Sequence, residues 1–225
     1  MFNYLKELHT YLFTNEMNTF YFDFETTGLN QYHDHIIDFC FLKEPKTTTP
    51  SDTVFETDEY CFQALVNPEQ KLTAKITEIT SITNEMLKDK PTIEHFIHSI
   101  EKYINNKNTI SYMIAHNCHG FDQIFLENAF RNNGIQPKQS NLKYIDTLLL
   151  AKKISPNMFS YSLKTLCKYY QIQEGSHRAF SDCIALRKVY IKLLEKLNRE
   201  HFKNTYSINY LLKNPYIVYD FLYNN

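Results

Sequence analysis

Asn18-Thr-Phe-Tyr-Phe-Asp-Phe-Glu-Thr-Thr-Gly28 lies near the start of this 225-residue chain, and the fold can be worked out from it. Its first seven residues alternate aromatic side chains with smaller or polar ones and are rich in strand formers, which predicts a β-strand. The strand ends in two carboxylates, Asp23 and Glu25, and this i, i+2 spacing points both to one side of the pleat. Residues 26–28 are small and predict a turn whose backbone N–H groups are open to an anion.

The two carboxylates predict a site for a divalent cation. Asp23 and Glu25 end an otherwise apolar strand, so they would repel each other unless a cation lay between them. Hard oxygen ligands of this kind favour Mg²⁺ or Mn²⁺. For the pair alone, an acidic and solvated strand end is an equally good explanation, so the choice between them depends on the rest of the chain.

Two more strands follow, and one helix precedes the first strand. Residues 35–42 and 59–66 have the composition of strands, and three strands in succession predict an antiparallel meander. The connecting stretch 43–58 is dense in Thr, Pro and Ser, which is typical of a loop. Before the first strand, apolar residues at helical spacing predict a short helix over 2–13.

The second half of the chain alternates strands and helices. Apolar residues at helical spacing predict a helix over 92–105, and a short apolar run predicts a strand over 109–115. Gly134 is expected to stop the next helix, which covers 121–133. One further strand and three further helices are predicted, over 142–145, 146–154, 162–170 and 180–197. This alternation is typical of an α/β protein.

Two more acidic segments lie where predicted elements begin or end. Ala115-His-Asn-Cys-His-Gly-Phe-Asp122 puts a third carboxylate just beyond an apolar strand, at the start of a helix. His177-Arg-Ala-Phe-Ser-Asp182 puts a fourth carboxylate in the first turn of the last long helix, five residues after a histidine. Each segment would be a weak signal alone, but the three in series are a strong one.

Together these segments resemble the three exonuclease motifs of the DEDDh family, the DnaQ-like 3′ to 5′ exonucleases that include the proofreading epsilon subunit of the bacterial replicative polymerase. Asp-x-Glu-Thr-Thr-Gly, His-Asn-x-x-x-Phe-Asp and His-Arg-Ala-x-x-Asp follow in the family's order over residues 19–197. Residues 79–87 and 145–148 agree more loosely with the family pattern. Two departures are a loop over 43–57 that is longer than a minimal member needs, and Cys183, where Ala is common.

The resemblance implies a ribonuclease H-like α/β fold: a mixed five-stranded sheet, with three antiparallel strands and then two parallel ones, flanked by helices. It also implies two divalent ions, Mg²⁺ or Mn²⁺, roughly 4 Å apart. Four carboxylates would hold them: Asp23, Glu25, Asp122 and Asp182. His177 would be the general base that takes a proton from the attacking water, since histidine titrates near neutral pH.

Substrate contacts follow from the same resemblance. Glu25 would also hold the terminal 3′ hydroxyl, which in this family explains end specificity. Leu29 would pack against bases, and Asn117 is a candidate partner for the phosphate backbone. The last nucleotide would be contacted by four consecutive residues: Thr26, Thr27, Gly28 and Leu29.

Composition and charge exclude several classes of protein. The formal net charge of −1 offers no global electrostatic case for nucleic acid, so any polyanion site must be local, and divalent ions would supply its positive charge. Five scattered cysteines without a Cys-x-x-Cys pair favour reduced thiols in an intracellular protein of the cytoplasm or nucleus. A membrane protein or a secreted one is not expected, because no apolar run approaches a membrane span and the first residues lack the order of a signal peptide.

Other titratable residues have simpler explanations than a second site. The segment 116–119, with two histidines and a cysteine, suggests zinc only weakly because it lacks a second ligand pair at zinc spacing. Asp146 is predicted to be a helix N-cap. Asp34 and Asp38 are assigned to a loop and to a strand surface.

The chain is predicted to contain one domain and an appendage. Residues 1–200 would form the exonuclease domain, with its core over 18–197. Residues 201–225 are rich in Tyr, Leu and Asn and predict a helical appendage that packs on the domain, because the segment is too apolar to stay free in water. The alternative is that the appendage docks on a polymerase, on another replication or repair partner, or on a second copy of the chain.

The expected function is hydrolysis from the 3′ end of single-stranded or frayed DNA, with release of nucleoside 5′-monophosphates, as in proofreading or repair. Two alternatives stay open. An exoribonuclease of the same family would trim RNA 3′ ends, and contacts to the 2′ hydroxyl, which the sequence does not reveal, would distinguish it. A catalytically weak nucleic-acid-binding or assembly module is the other, although the presence of all five site residues argues against it.

Overall fold

Five β-strands form a mixed sheet in the computed structural model, which describes residues 16–46, 55–105, 109–136 and 141–224. The strands are β1 (Glu16–Thr26), β2 (Ile36–Lys43), β3 (Cys61–Leu65), β4 (Thr109–Ala115) and β5 (Leu142–Asp146). Their order across the sheet is β3-β2-β1-β4-β5. β1 pairs antiparallel with β2, and β2 with β3, whereas β4 lies parallel to β1 and β5 lies parallel to β4.

This sheet confirms the predicted architecture of three antiparallel strands followed by two parallel ones. β3 is shorter than the strand predicted over 59–66, and β1 begins before the predicted start at Asn18. The helix predicted over 2–13 lies outside the described residues, as do residues 47–54 of the predicted loop.

Helices cover both faces of the sheet, and several begin at a local capping residue. The side chains of Thr83, Asp146 and Ser162 each accept a hydrogen bond from a backbone N–H in the first turn of a helix, which confirms the caps predicted there. The helices of the described residues are α1 (Ala74–Thr80), α2 (Asn84–Leu87), α3 (Ile93–Ile104), α4 (Asp122–Asn132), α5 (Thr147–Ile154), α6 (Leu163–Tyr170), α7 (Ala179–Glu200), α8 (Ile208–Lys213) and α9 (Tyr216–Tyr223).

The aromatic alternation of β1 builds the core on both faces of the sheet. Phe20 packs toward α3, and Tyr21 on the opposite face contacts Tyr190 of α7, with 6.0 Å between ring centroids. Both side chains of β1 are fully buried because β1 is the central strand. The two-residue period of a strand places Asp23 and Glu25 on the Tyr21 face, so both carboxylates point toward α7.

α7 lies across β1 and β2 and runs antiparallel to β1, which brings its first turn to the end of β1. α8 contacts α7 and β1, and α9 contacts β5 and α5. Leu211 and Val218 of these two last helices are fully buried. Among the described residues, no helix is both long and apolar enough to cross a membrane.

Candidate active site

The first two carboxylates lie where β1 ends. Glu25 lies opposite Asp38 of β2 in the sheet, and the register shifts between Glu25 and Thr26. Such an irregularity bends a strand and stops its pairing, so the chain turns away at this point. Asp23 and Glu25 are left, partly buried, at the end of the sheet.

Asp122 reaches the same point from the other side of β1. Pairing between β4 and β1 stops at Tyr21, before the strand ends. The backbone N–H of Phe24 donates instead to Oδ1 of Asp122, at 3.2 Å. A 3-10 turn over Cys118–Gly120 and the start of α4 bring the Asp122 side chain there, and the residue is only 3% exposed. The third carboxylate is therefore bonded directly to the strand that carries the first two.

Asp182 and His177 come from the start of α7 and from the loop before it. The backbone N–H of Asp182 donates to the Arg178 carbonyl at 3.0 Å, in the first turn of α7. His177 is exposed and has a φ of +52°, in the left-handed region that few residues other than glycine adopt. One potential ligand atom from each of Glu25, His177 and Asp182 lies within 4.8 Å of the other two. The structure thus brings the imidazole to the carboxylates.

Burial and mutual repulsion raise the pKa values of all four carboxylates. Burial, then the charges of Asp122 and Asp182, raises the pKa of Asp23 well above its usual range. Burial and the charge of Asp182 raise the pKa of Glu25 to about 8. Burial raises the pKa of Asp122 to about 7. It raises the pKa of Asp182 to about 6, although the nearby His177 opposes this rise.

These raised pKa values fit a cation-binding site. The charged forms of the four carboxylates are disfavoured as long as no positive charge lies among them. A divalent cation removes that penalty, and carboxylate oxygens are the ligands that Mg²⁺ and Mn²⁺ prefer. The donor set therefore suits the divalent ions expected from the sequence.

The prediction that Asp38 lies on a strand surface is wrong. Asp38 is 3% exposed, and its Oδ2 accepts hydrogen bonds from Arg178 Nε at 2.8 Å and from the backbone N–H of Ala179 at 3.4 Å. Burial raises the pKa of Asp38, and the hydrogen bond and charge of Arg178 oppose that rise. A carboxylate that interrupts the apolar run 36–42 is a sequence signal for such burial, but the partner is 140 residues away and has no local signal. Asp34 does lie in a loop.

Side-chain hydrogen bonds hold the turn after β1. Thr27 Oγ1 donates to Oδ1 of Asp34 at 2.8 Å, and Thr26 Oγ1 donates to the Gly28 carbonyl at 2.5 Å. A Cβ atom on Gly28 would lie 2.7 Å from Cγ of Asp34, so only glycine fits there. Thr26 and Thr27 are buried, whereas Leu29 is 85% exposed. Of these four predicted nucleotide contacts, Leu29 therefore presents the largest free side chain.

Asn117 begins the turn that delivers Asp122. Its φ is +63°, and its backbone N–H donates to Oδ1 of Asp146 at 2.9 Å. The same Asp146 oxygen accepts from the backbone N–H of Leu148, at 2.9 Å. Asp146 is thus an N-cap, as predicted, and also ties two strand ends together. The Asn117 residue itself is exposed at this end of the sheet.

The zinc site considered for segment 116–119 has partners of another kind. Potential ligand atoms of Cys118, His119 and Asp146 lie within 4.8 Å of one another, so the fold does supply a third group. However, both ring nitrogens of His119 are hydrogen-bonded, one to Gln123 at 2.6 Å and the other to Tyr223 at 2.8 Å. These protein contacts account for His119 without a metal ion.

Solved structures with a similar fold are exonucleases. An exonuclease I structure superimposes with a TM-score of 0.68 at 17% identity, covering 90% of this chain and 44% of that one. Escherichia coli exonuclease I in complex with a dT13 oligonucleotide superimposes with a TM-score of 0.65, also at 17% identity, over 84% of this chain and 43% of that one. At this identity the likeness establishes the fold, which is ribonuclease H-like.

Sequence comparison assigns the family. The family model described as Exonuclease matches residues 20–190. The DNA polymerase III PolC-type of Bacillus cereus is 31% identical over 183 residues, which is 81% of this chain. The chain spans only 12% of the length of that polymerase. The matched region contains all five predicted site residues in the family's order, and this chain belongs to the DnaQ-like DEDDh family of 3′ to 5′ exonucleases.

Proposed function

We propose that this chain removes nucleotides from the 3′ end of single-stranded or frayed DNA, hydrolysing phosphodiester bonds and releasing nucleoside 5′-monophosphates. The observation that carries the proposal is that four buried or partly buried carboxylates meet an exposed imidazole at one end of the sheet. The dT13 oligonucleotide bound to a protein of the same fold supports single-stranded DNA as the substrate. The similarity to a segment of a DNA polymerase supports a role in proofreading or repair beside a polymerase.

The four carboxylates are the proposed ligands of two divalent ions, Mg²⁺ or Mn²⁺, and they are Asp23, Glu25, Asp122 and Asp182. Such ions, when bound, activate a water molecule and stabilise the leaving 3′ oxygen. Because the carboxylates have raised pKa values, they release protons when they bind a cation near neutral pH. Metal affinity is therefore expected to rise with pH.

The remaining roles fall to side chains around the carboxylates. His177 takes the proton from the attacking water, and its exposure lets it approach a phosphate from solvent. The neighbouring charges of Glu25 and Asp182 stabilise the imidazolium that forms. Glu25 also holds the terminal 3′ hydroxyl, Leu29 packs on the last base, and Asn117 contacts the phosphate backbone.

A ladder assay tests this proposal. DNA and RNA oligonucleotides of one sequence, each labelled at the 5′ end, are incubated with the protein in Mg²⁺, in Mn²⁺ or in EDTA. Shortening of the DNA from its 3′ end is expected with either metal and not with EDTA. His177→Ala and Asp182→Ala are expected to abolish it, whereas His98→Ala, which removes an exposed imidazole on α3, is the matched control and is expected to retain it.

Two results would contradict the proposal. DNA that stays intact under every condition would favour a binding or assembly module. Shortening of RNA alone would replace the DNA exonuclease with an exoribonuclease of the same family.

A further inference from the structure

Asp38 is a fifth carboxylate beside the site, and the protein itself occupies it. Asp38 lies directly opposite Glu25 in the sheet, yet its Oδ2 is bonded to Arg178 Nε and to the N–H of Ala179. The Asp38 side chain is 5% exposed and the Arg178 side chain 39% exposed. A hydrogen-bonded ion pair therefore joins the second strand of the sheet to the residue just before α7.

Both neighbours of this pair along the chain belong to the proposed catalytic set. His177 immediately precedes Arg178, and Asp182 follows it by one helical turn, with its N–H on the Arg178 carbonyl at 3.0 Å. Asp38 holds the Arg178 side chain and the first N–H of α7 at once. The pair thus sets where α7 begins relative to Glu25.

The backbone at His177 needs such a restraint. A φ of +52° is unfavourable for a residue with a side chain and persists only where the surroundings hold it. On one side of His177, the N–H of Ser176 donates to Ser181 Oγ at 2.9 Å. On the other side, the Asp38–Arg178 pair is the contact that reaches across to the sheet.

We infer that Asp38 and Arg178 are positioning residues that hold the His177 imidazole in place for proton transfer, and that Asp38 is not a metal ligand. The inference rests on the proposed function. Lysine would not replace Arg178, because the bond runs through Nε of a planar guanidinium and lysine has no donor at that point.

The molecule contains a matched control for this pair. Glu44, which follows β2 directly, receives two hydrogen bonds from Arg187 of α7, at 2.7 and 2.8 Å. Both side chains are better shielded than that of Arg178, with 14% exposure for Arg187 and 10% for Glu44. This second pair joins the same two parts of the fold more than two helical turns farther along α7, away from His177.

The test measures kcat and KM with the p-nitrophenyl ester of thymidine 5′-monophosphate, a small substrate that makes no upstream contacts. Asp38→Asn and Arg178→Lys are each expected to lower kcat about tenfold to a hundredfold with little change in KM, the cost of a misplaced catalytic group. In a His177→Ala background, Asp38→Asn is expected to lower kcat less than about twofold, because a residue that acts through His177 has nothing left to position. Glu44→Gln is expected to leave kcat of the otherwise unchanged protein intact.

Amide hydrogen exchange at Ser176, Ala179 and Asp182 is a second readout that requires no activity. Asp38→Asn is expected to speed exchange about tenfold at these positions, and Glu44→Gln to leave it unchanged. If the unaltered protein hydrolyses no substrate, the proposed function fails while exchange still tests the pair. The inference is overturned by unchanged exchange in Asp38→Asn, by an equal kcat loss in the His177→Ala background, or by a large loss of Mn²⁺ affinity in Asp38→Asn.

Discussion

Gly175 packs directly against the carboxylate of Asp182. A Cβ atom on Gly175 would overlap this carboxylate, lying 2.6 Å from Cγ and 3.0 Å from Cα of Asp182. The loop that carries His177 can therefore approach the first turn of α7 only if residue 175 has no side chain.

Replacement of Gly175 by Ala is expected to lower kcat about a hundredfold, because the added methyl group must displace Asp182 or the His177 loop. Gly134→Ala is the control. Gly134 has a φ of +69°, and a methyl group added to it would meet no atom within 4 Å, so alanine there strains the backbone without touching the site. Thermal unfolding and kcat of both variants separate the two effects. Full activity in Gly175→Ala would mean that Asp182 can move without cost.

The metal-free protein is expected to lose stability as pH rises from about 4 to about 8. Folding raises the pKa of Glu25 to about 8, of Asp122 to about 7 and of Asp182 to about 6. The folded state therefore binds more protons than the unfolded state in this window, and the free energy of unfolding falls as those protons leave. Urea unfolding in EDTA at several pH values measures the slope.

Two comparisons check the origin of this slope. Glu25→Gln removes the carboxylate whose pKa is raised to about 8 and is expected to flatten the slope, whereas Glu94→Gln, on the exposed face of α3, is not. Mn²⁺ at a hundred times its Kd is expected to stabilise the folded protein by about 2.7 kcal/mol, most usefully at the alkaline end. Stability that increases across this window in EDTA would contradict the assignment.

Tyr223 is expected to hold the last helix on the second acidic segment. Its hydroxyl is bonded to Nε2 of His119 at 2.8 Å and receives the backbone N–H of Asp146 at 3.4 Å. Tyr223→Phe removes both bonds and is expected to lower the free energy of unfolding by about 1 kcal/mol. Tyr210→Phe is the control, because Tyr210 is 46% exposed on α8. Equal effects of the two changes in chemical unfolding would argue against a specific anchor.

Asp34 is expected to matter for substrate binding rather than for chemistry. Its carboxylate accepts from Thr27 Oγ1 and from the N–H of Asn30, and so braces the turn that presents Leu29. Asp34→Ala is expected to raise KM for a DNA oligonucleotide several-fold with little change in kcat. The neighbouring exposed His33 serves as the control through His33→Ala. A fall in kcat at constant KM would instead connect Asp34 to the reacting groups.

Features with a local cause were predictable. The strand over 18–24 follows from its alternating aromatics, and the caps at Thr83, Asp146 and Ser162 follow from side chains that bond to their own first turn. The order of antiparallel and parallel strands was also predictable, since short connections join antiparallel strands and helices join parallel ones.

Features with a distant partner were not predictable. Asp38 and Asp23 are both carboxylates within apolar strand segments, and their sequences do not reveal that one meets an arginine and the other meets more carboxylates. The overlap between Gly175 and Asp182 depends on how closely a loop approaches a helix, which has no periodic signature.

The order of the amino acids was thus sufficient to identify the family, the sheet and the five residues proposed for catalysis, because each rests on short-range patterns and on their spacing. The assignment of partners came from the tertiary structure alone. Whether a buried carboxylate faces a cation site or an arginine depends on contacts between residues up to 140 positions apart, and these exist only once β1, β2 and α7 have packed together.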